Sequence, residues 1–225
     1  MNTEDEHLRE GVFNLARELA PIFRLWAELQ RDVEAARAAM VSSTSDTQFA
    51  RRQFVRATFA KLEGLTSTLK QLSLRSPTAY SAAESALLRE ETFSLDDKGE
   101  PRVAANHLKL AANIQFAFRM YARRLDLRFS LPTSGSEWSD LKLAMAVRNR
   151  LMHPRKPEDL TVSEAEVETA SRASAWIDAK QAELVELAID KIALTTEGMT
   201  ANELREFLAF RKRLPAEDTG DQKRF

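Results

Sequence analysis

Apolar residues recur at helical spacing along most of the chain. Leu8, Val12, Leu15, Leu19, Ile22, Trp26, Leu29 and Val33 follow one another at intervals of 4, 3, 4, 3, 4, 3 and 4 residues, the a/d seam of a helix that buries one stripe. Pro21 interrupts this seam; it removes a backbone donor and predicts a kink or break near Ala20. A coiled-coil dimer arm and a kinked helix pair docked on its own core both use such a seam. The small polar stretch Val41 to Thr47 predicts a linker or helix start. Phe59, Leu62, Leu65, Leu69 and Leu72 then predict a second helix over Phe49 to Leu74, whose outer face is basic, carrying Arg51, Arg52, Arg56, Lys61, Lys70 and Arg75 against Glu63 alone.

Ser76-Pro77 predicts the start of a third helix, running to about Glu91. Phe93 to Val103, centred on Asp97-Lys98-Gly99, predicts a loop or at most a small hairpin. Val103, His107, Leu110, Ile114, Phe118, Tyr121 and Leu125 predict a fourth helix from about Val103 to Arg128. After a break at Leu131 to Ser136, Trp138, Leu141, Met145 and Leu151 predict a fifth helix, about Glu137 to Met152. His153-Pro154 closes it, because the residue before proline is pushed out of the helical region. The capping box Ser163-x-x-Glu166 opens a sixth helix towards Leu194. Thr200-x-x-Glu203 opens a short seventh, and the charged tail from Ala216 to Phe225 is expected to be disordered. The expected fold is an all-α helical bundle: a helical extension over 1–45, the bundle over 46–195, and a short helix with a charged tail over 196–225.

Composition agrees and narrows the chemistry. Six glycines and seven prolines in 225 residues are too few breakers for a turn-rich β fold. There are no cysteines, which excludes disulfide scaffolds, cysteine-ligated zinc, iron–sulfur clusters and thiol nucleophiles. His7, His107 and His153 are the only histidines and lie far apart, so no metal or cofactor is expected. The acidic N-terminus MNTEDEHLRE has no signal-peptide order, and uncharged runs fall short of the ~20 residues of a membrane span; a cytoplasmic location without membrane association is expected.

The net charge of −1 is segregated. Residues 51–75 carry six basic residues and one acidic, and residues 148–156 carry a net of +4. Residues 158–190 carry nine acidic residues and two basic. A neutral total is thus compatible with a basic cleft backed by an acidic helix.

The candidate chemistry lies in Arg148-Asn149-Arg150-Leu151-Met152-His153-Pro154. The spacing R-x4-H alone carries little, because Arg102 and His107 share it. On an ideal helix an Arg and a His five residues apart point about 140° away from each other. Pro154 changes this by moving His153 to the helix C-cap, where its ring can turn towards Asn149 and where a protonated imidazole suits the helix dipole. His107, aligned with Leu110 and Ile114, is expected to be a core histidine on the apolar face of the fourth helix.

An R-N-x-x-x-H-P motif after an all-α run resembles the HEPN superfamily of helical domains. Trp138, Glu164, Glu166 and Trp176 suit that pattern, and Phe54 to Leu65 resembles the first long helix of such domains. The resemblance covers about Thr47 to Leu194. It implies metal-independent endoribonuclease activity by attack of a ribose 2′-OH on the adjacent phosphate, leaving a 2′,3′-cyclic phosphate. It also implies a homodimer in which two motifs form one cleft. Carried over, His153 is general acid or base, Arg148 stabilises phosphate charge and Asn149 positions the phosphate or His153. Arg150, Arg155 and Lys156 guide the RNA backbone, and Glu63 matches an acidic position of the first helix. A toxin or anti-phage effector with an antitoxin or defence-system partner fits this chemistry; a catalytically silent interaction or RNA-binding scaffold is the alternative. Some relatives carry H-x-Y and are silenced by nucleotide transfer to the tyrosine; here Arg155 stands in that place.

Overall fold

The computed structural model describes residues 24–42, 46–75 and 80–195. Its helices are α1 (24–41), α2 (Thr47–Leu74), α3 (Ala82–Arg89), α4 (Leu110–Arg124), α5 (Ser136–Met152) and α6 (Glu164–Thr195), with a 3-10 turn at Pro157–Leu160. Strands β1 (Glu91–Leu95) and β2 (Pro101–Ala105) form an antiparallel hairpin between α3 and α4. The protein is a mostly helical bundle.

The axis of the bundle is α2. Asp46 caps it by accepting from the Gln48 and Phe49 N–H groups, which satisfies donors that the first turn cannot bond internally. Phe54, Val55, Phe59, Leu62, Leu65, Leu69 and Leu72 of α2 are buried together with Ile114, Ala117, Phe118 and Tyr121 of α4, Leu141, Ala144 and Leu151 of α5, and Ala170, Ala173, Ile177 and Leu184 of α6. Val33 and Ala36 of α1 join the same cluster. At Gly64 an added Cβ would come within 2.6 Å of Leu29 Cδ1, so α1 crosses α2 closely. Over its described part, the heptad seam is therefore packed on the chain's own core. Leu8 to Ile22, the kink at Pro21, the seventh helix and the tail lie outside the described residues.

Several expectations are corrected. The basic face of α2 is not a solvated outer face. Lys61 and Lys70 side chains are each only 2% exposed. Lys61 Nζ donates to both carboxylate oxygens of Asp178 on α6, at 2.8 and 2.7 Å, and to Gln30 on α1 at 3.0 Å. Lys70 Nζ donates to Glu90 at the end of α3, at 2.7 Å, and to Asn113 on α4 at 3.0 Å. Arg51 and Arg52 donate to the Val162 and Leu160 carbonyls before α6. These cations bolt helices together, because a buried ammonium is tolerated only when paired.

The fourth helix starts at Leu110 rather than Val103. Val103 pairs with Phe93 in the hairpin, and the 3–4 spacing that ran through Val103 and His107 was coincidental. Asp96 organises the hairpin turn by accepting from the Lys98 and Glu100 N–H groups. Gly99 sits there at φ +77°, a conformation that glycine adopts without strain. Asp126 at φ +52° ends α4, with Leu127 N–H returning to the Ala122 carbonyl, the usual left-handed close of a helix. The third helix starts at Ala82 rather than at Ser76-Pro77, because Tyr80 and Ser81 are not helical and Ser81 caps α3 through a complete Ser81/Glu84 capping box; Ser76 and Pro77 themselves lie outside the described residues. The Ser163/Glu166 box opens α6 as expected.

Asp178→Ala leaves Lys61 buried without its charge partner and is expected to cost about 3 kcal/mol; the double variant Lys61→Met with Asp178→Leu is expected to recover most of that loss. Urea denaturation measures both. Glu84 gives a pH signature. The Arg123 hydrogen bond, then the Ser81 N–H, pull its carboxyl from 4.5 down to about 2. A carboxyl lowered on folding contributes stability above its unfolded value and loses it as pH falls through the folded one. Thermal melts of wild type and Glu84→Gln are therefore expected to differ by a constant amount above pH 5 and to converge between pH 4.5 and 2.

Candidate active site

The last turn of α5 brings the motif together. Its N-terminal half is held by Trp138, which meets Trp176 of α6 edge to face at 6.1 Å, and by Asp140, which pairs with Arg172 of α6 at 2.7 Å. The Arg172 hydrogen bond holds the Asp140 carboxyl below its usual range. At the other end the helix stops at His153, the C-cap, with φ −131° and ψ 58°. The His153 N–H still donates to the Asn149 carbonyl at 3.1 Å. His153 has thus left helical geometry as Pro154 requires, and it shares a cavity with Arg148 and Asn149.

That cavity has a volume of about 800 Å³. From α2 it receives Glu63, Thr66 and Ser67; from α5, Met145, Arg148, Asn149 and His153. Glu90 at the end of α3, His107 and Lys109 in the connection, and Asn113 of α4 close the opposite side. Arg148 is oriented before any ligand arrives. One guanidinium nitrogen donates to Glu63 at 2.5 Å and the other to Asn149 Oδ1 at 3.1 Å. A guanidinium has more N–H donors than these two contacts use, so it can hold a phosphate oxygen while Glu63 and Asn149 keep its plane in place.

Glu90 adds a second anchored carboxylate. Partial burial works against its charge, but hydrogen bonds from Lys70 and Asn113, with smaller help from the Lys70 and His107 charges, hold its carboxyl below its usual range. The cavity therefore sets two carboxylates among Arg148, Lys109 and two histidines.

The remaining expected residues separate. Arg150 points to the other side, donating to the Thr161 carbonyl at 2.8 Å and to Glu166 at 3.1 Å. Partial burial opposes the Glu166 charge, but the Ser163 N–H and Arg150 outweigh it and lower that carboxyl. Arg150 thus fastens α5 to the start of α6 and is not a cavity residue. Arg155 and Lys156 follow His153 on an exposed loop held by their backbone N–H groups donating to Asp159, at 2.8 and 3.2 Å. Glu63, singled out as an acidic position, is the carboxylate that holds Arg148.

His107 is the main residue that sequence reasoning misplaced. It is exposed in the connection between β2 and α4, not buried on a helix face, and it lines the same cavity as His153. Arg102, its R-x4-H partner in sequence, is held by Asp96 in the hairpin. The second spacing match is therefore no motif, yet its histidine reaches the site. The one available signal was the Asp97-Lys98-Gly99 turn: a hairpin built on it pulls Val103 out of the helix and His107 into the loop.

Among the described residues, no group of three or more His, Asp or Glu side chains could hold a metal ion, and no helix is long and apolar enough to cross a membrane. In comparisons with known proteins, no family model matches this chain, and neither a curated protein nor a solved structure does.

Glu63→Gln removes the countercharge of Arg148. The pair is partly exposed, so the expected loss of stability is at most about 1 kcal/mol. Affinity for inorganic phosphate is expected to rise several-fold, because the anion no longer competes with a carboxylate. Arg148→Ala is expected to abolish that binding. Calorimetric titration reads both.

Proposed function

We propose that this chain is a metal-independent endoribonuclease of HEPN type that cleaves RNA by 2′-OH attack and leaves a 2′,3′-cyclic phosphate. The convergence of Arg148, Asn149 and His153 on one cavity carries the proposal. Arg148 supplies parallel donors to the non-bridging phosphate oxygens, where charge grows as the 2′-oxygen adds to phosphorus. His153 transfers a proton at neutral pH, where an imidazole does so most readily. Asn149 holds Arg148 by its side-chain oxygen. Arg155 and Lys156, exposed beside His153, attract the flanking RNA backbone. In the cell such an activity suits a cytoplasmic toxin or anti-phage effector, working as a homodimer and restrained by an antitoxin or defence-system partner.

The Glu63–Arg148 pair favours a second reading, a catalytically silent RNA-binding or partner-binding scaffold, since an arginine so paired also serves a purely structural role.

Incubation of the purified chain with tRNA and total RNA in EDTA separates the two. A ribonuclease cuts RNA and leaves cyclic phosphate ends, and His153→Ala is expected to slow cutting by about a hundredfold or more. Equal cutting by wild type and His153→Ala, or intact RNA with both, would overturn the proposal.

A further inference from the structure

We infer that His107 is a second catalytic histidine, supplied by the same chain, and that it divides the acid and base roles with His153. The inference rests on the ribonuclease reading above and departs from its composite cleft in one respect: the second proton carrier is His107 of the same chain rather than the His153 of a second copy. Cleavage through the 2′-OH requires two proton transfers. The 2′-oxygen loses its proton as the 2′-O–P bond forms, and the 5′-oxygen gains one as the P–O5′ bond breaks. In-line displacement puts these oxygens on opposite sides of phosphorus, and a single imidazole holds one transferable proton. A neutral imidazole accepting from the 2′-OH and an imidazolium donating to the 5′-oxygen balance the reaction with no other reactant. Each enters the next turnover after its proton state is restored by water.

The cavity is built for that division. His153 enters from the end of α5 and His107 from the connection before α4, with Arg148 in the same lining. His107 is exposed, but its backbone is pinned on both flanks. Asn106 N–H donates to the Glu90 carbonyl at 2.7 Å, extending the hairpin ladder, and Asn113 N–H returns to the Lys109 carbonyl at 2.9 Å. The groups that face His107 are of both signs. Glu90 lies on the same side, its carbonyl bonded to the Asn106 N–H, and its carboxylate is held by Lys70 of α2 and Asn113 of α4. Lys109, Glu63 and Arg148 complete the charged lining.

A substrate with sulfur in place of the bridging 5′-oxygen tests this directly, because a thiolate leaves without a proton. Single-turnover cleavage in EDTA is compared for wild type, His107→Gln and His153→Gln, on matched oligoribonucleotides with a 5′-oxygen or a 5′-sulfur at the cut site. On the oxygen substrate each variant is expected to lose about a hundredfold or more. On the sulfur substrate one variant is expected to return to within about tenfold of wild type while the other stays slow, which names the acid and the base. Wild-type rates for His107→Gln on RNA, or the same response of both variants to sulfur, overturn the inference and leave the ribonuclease reading standing. A wild-type chain inert on both substrates overturns both. Melting temperatures equal to wild type, expected for an exposed loop position, show that a slow variant is folded.

Discussion

Burial of α2 on nearly every side is the constraint from which the rest of the bundle follows. A helix in that position keeps only a narrow solvated stripe, along Ala60, Ser67 and Gln71, so Lys61 and Lys70 on its buried faces must find carboxylates inside the protein. Asp178 of α6 and Glu90 at the end of α3 supply them. An unpaired ammonium in the core costs several kcal/mol, on the order of half the net stability of a typical domain. These pairs therefore do more to select one arrangement of the helices than the apolar contacts around them, which many related packings would satisfy.

The same pairings place the candidate site. Glu90 adopts a left-handed conformation at φ +55° to close α3, and its carboxylate reaches Lys70 and Asn113. That contact seats the base of the hairpin and, beyond it, the connection that carries His107. On the other wall, the Trp138–Trp176 contact and the Asp140–Arg172 pair set α5 against α6. Arg150 locks the far end to the Thr161 carbonyl and Glu166. The last turn of α5 is thus rigid where Arg148 leaves it, and Glu63 and Asn149 fix the guanidinium before a ligand binds. Preorganised donors of this kind need not reorient as charge develops on a phosphate. The same Glu63 also sets a carboxylate beside the proposed phosphate position, which would compete with an anion for Arg148.

What was legible in the sequence is what local chemistry encodes. The long helices follow from apolar periodicity, and their ends from named residues: Ser163 with Glu166 opens α6, and His153-Pro154 closes α5. The convergence of Arg148 and His153 was readable because the proline rule changes where a side chain points. The sign of a charge was readable and its surroundings were not. Lys61 looked solvated, since Asp178 lies 117 residues away and nothing in the intervening sequence announces their meeting. The start of α4 was misplaced because strand and helix spacing overlap over a few residues, so Val103 satisfied both periods. His107 was lost by the same overlap, and with it the second histidine of the cavity.

We propose the cavity between α2, the α4 connection and the end of α5 as the place where RNA is held. A 2′-O-methyl oligoribonucleotide, which lacks the attacking hydroxyl and so binds without being cut, allows a direct look by chemical-shift mapping. The largest changes are expected on Glu63, His107, Arg148, Asn149 and His153, and Arg148→Ala is expected to remove them. Changes confined to other faces of the bundle, or none at millimolar ligand, would contradict that placement.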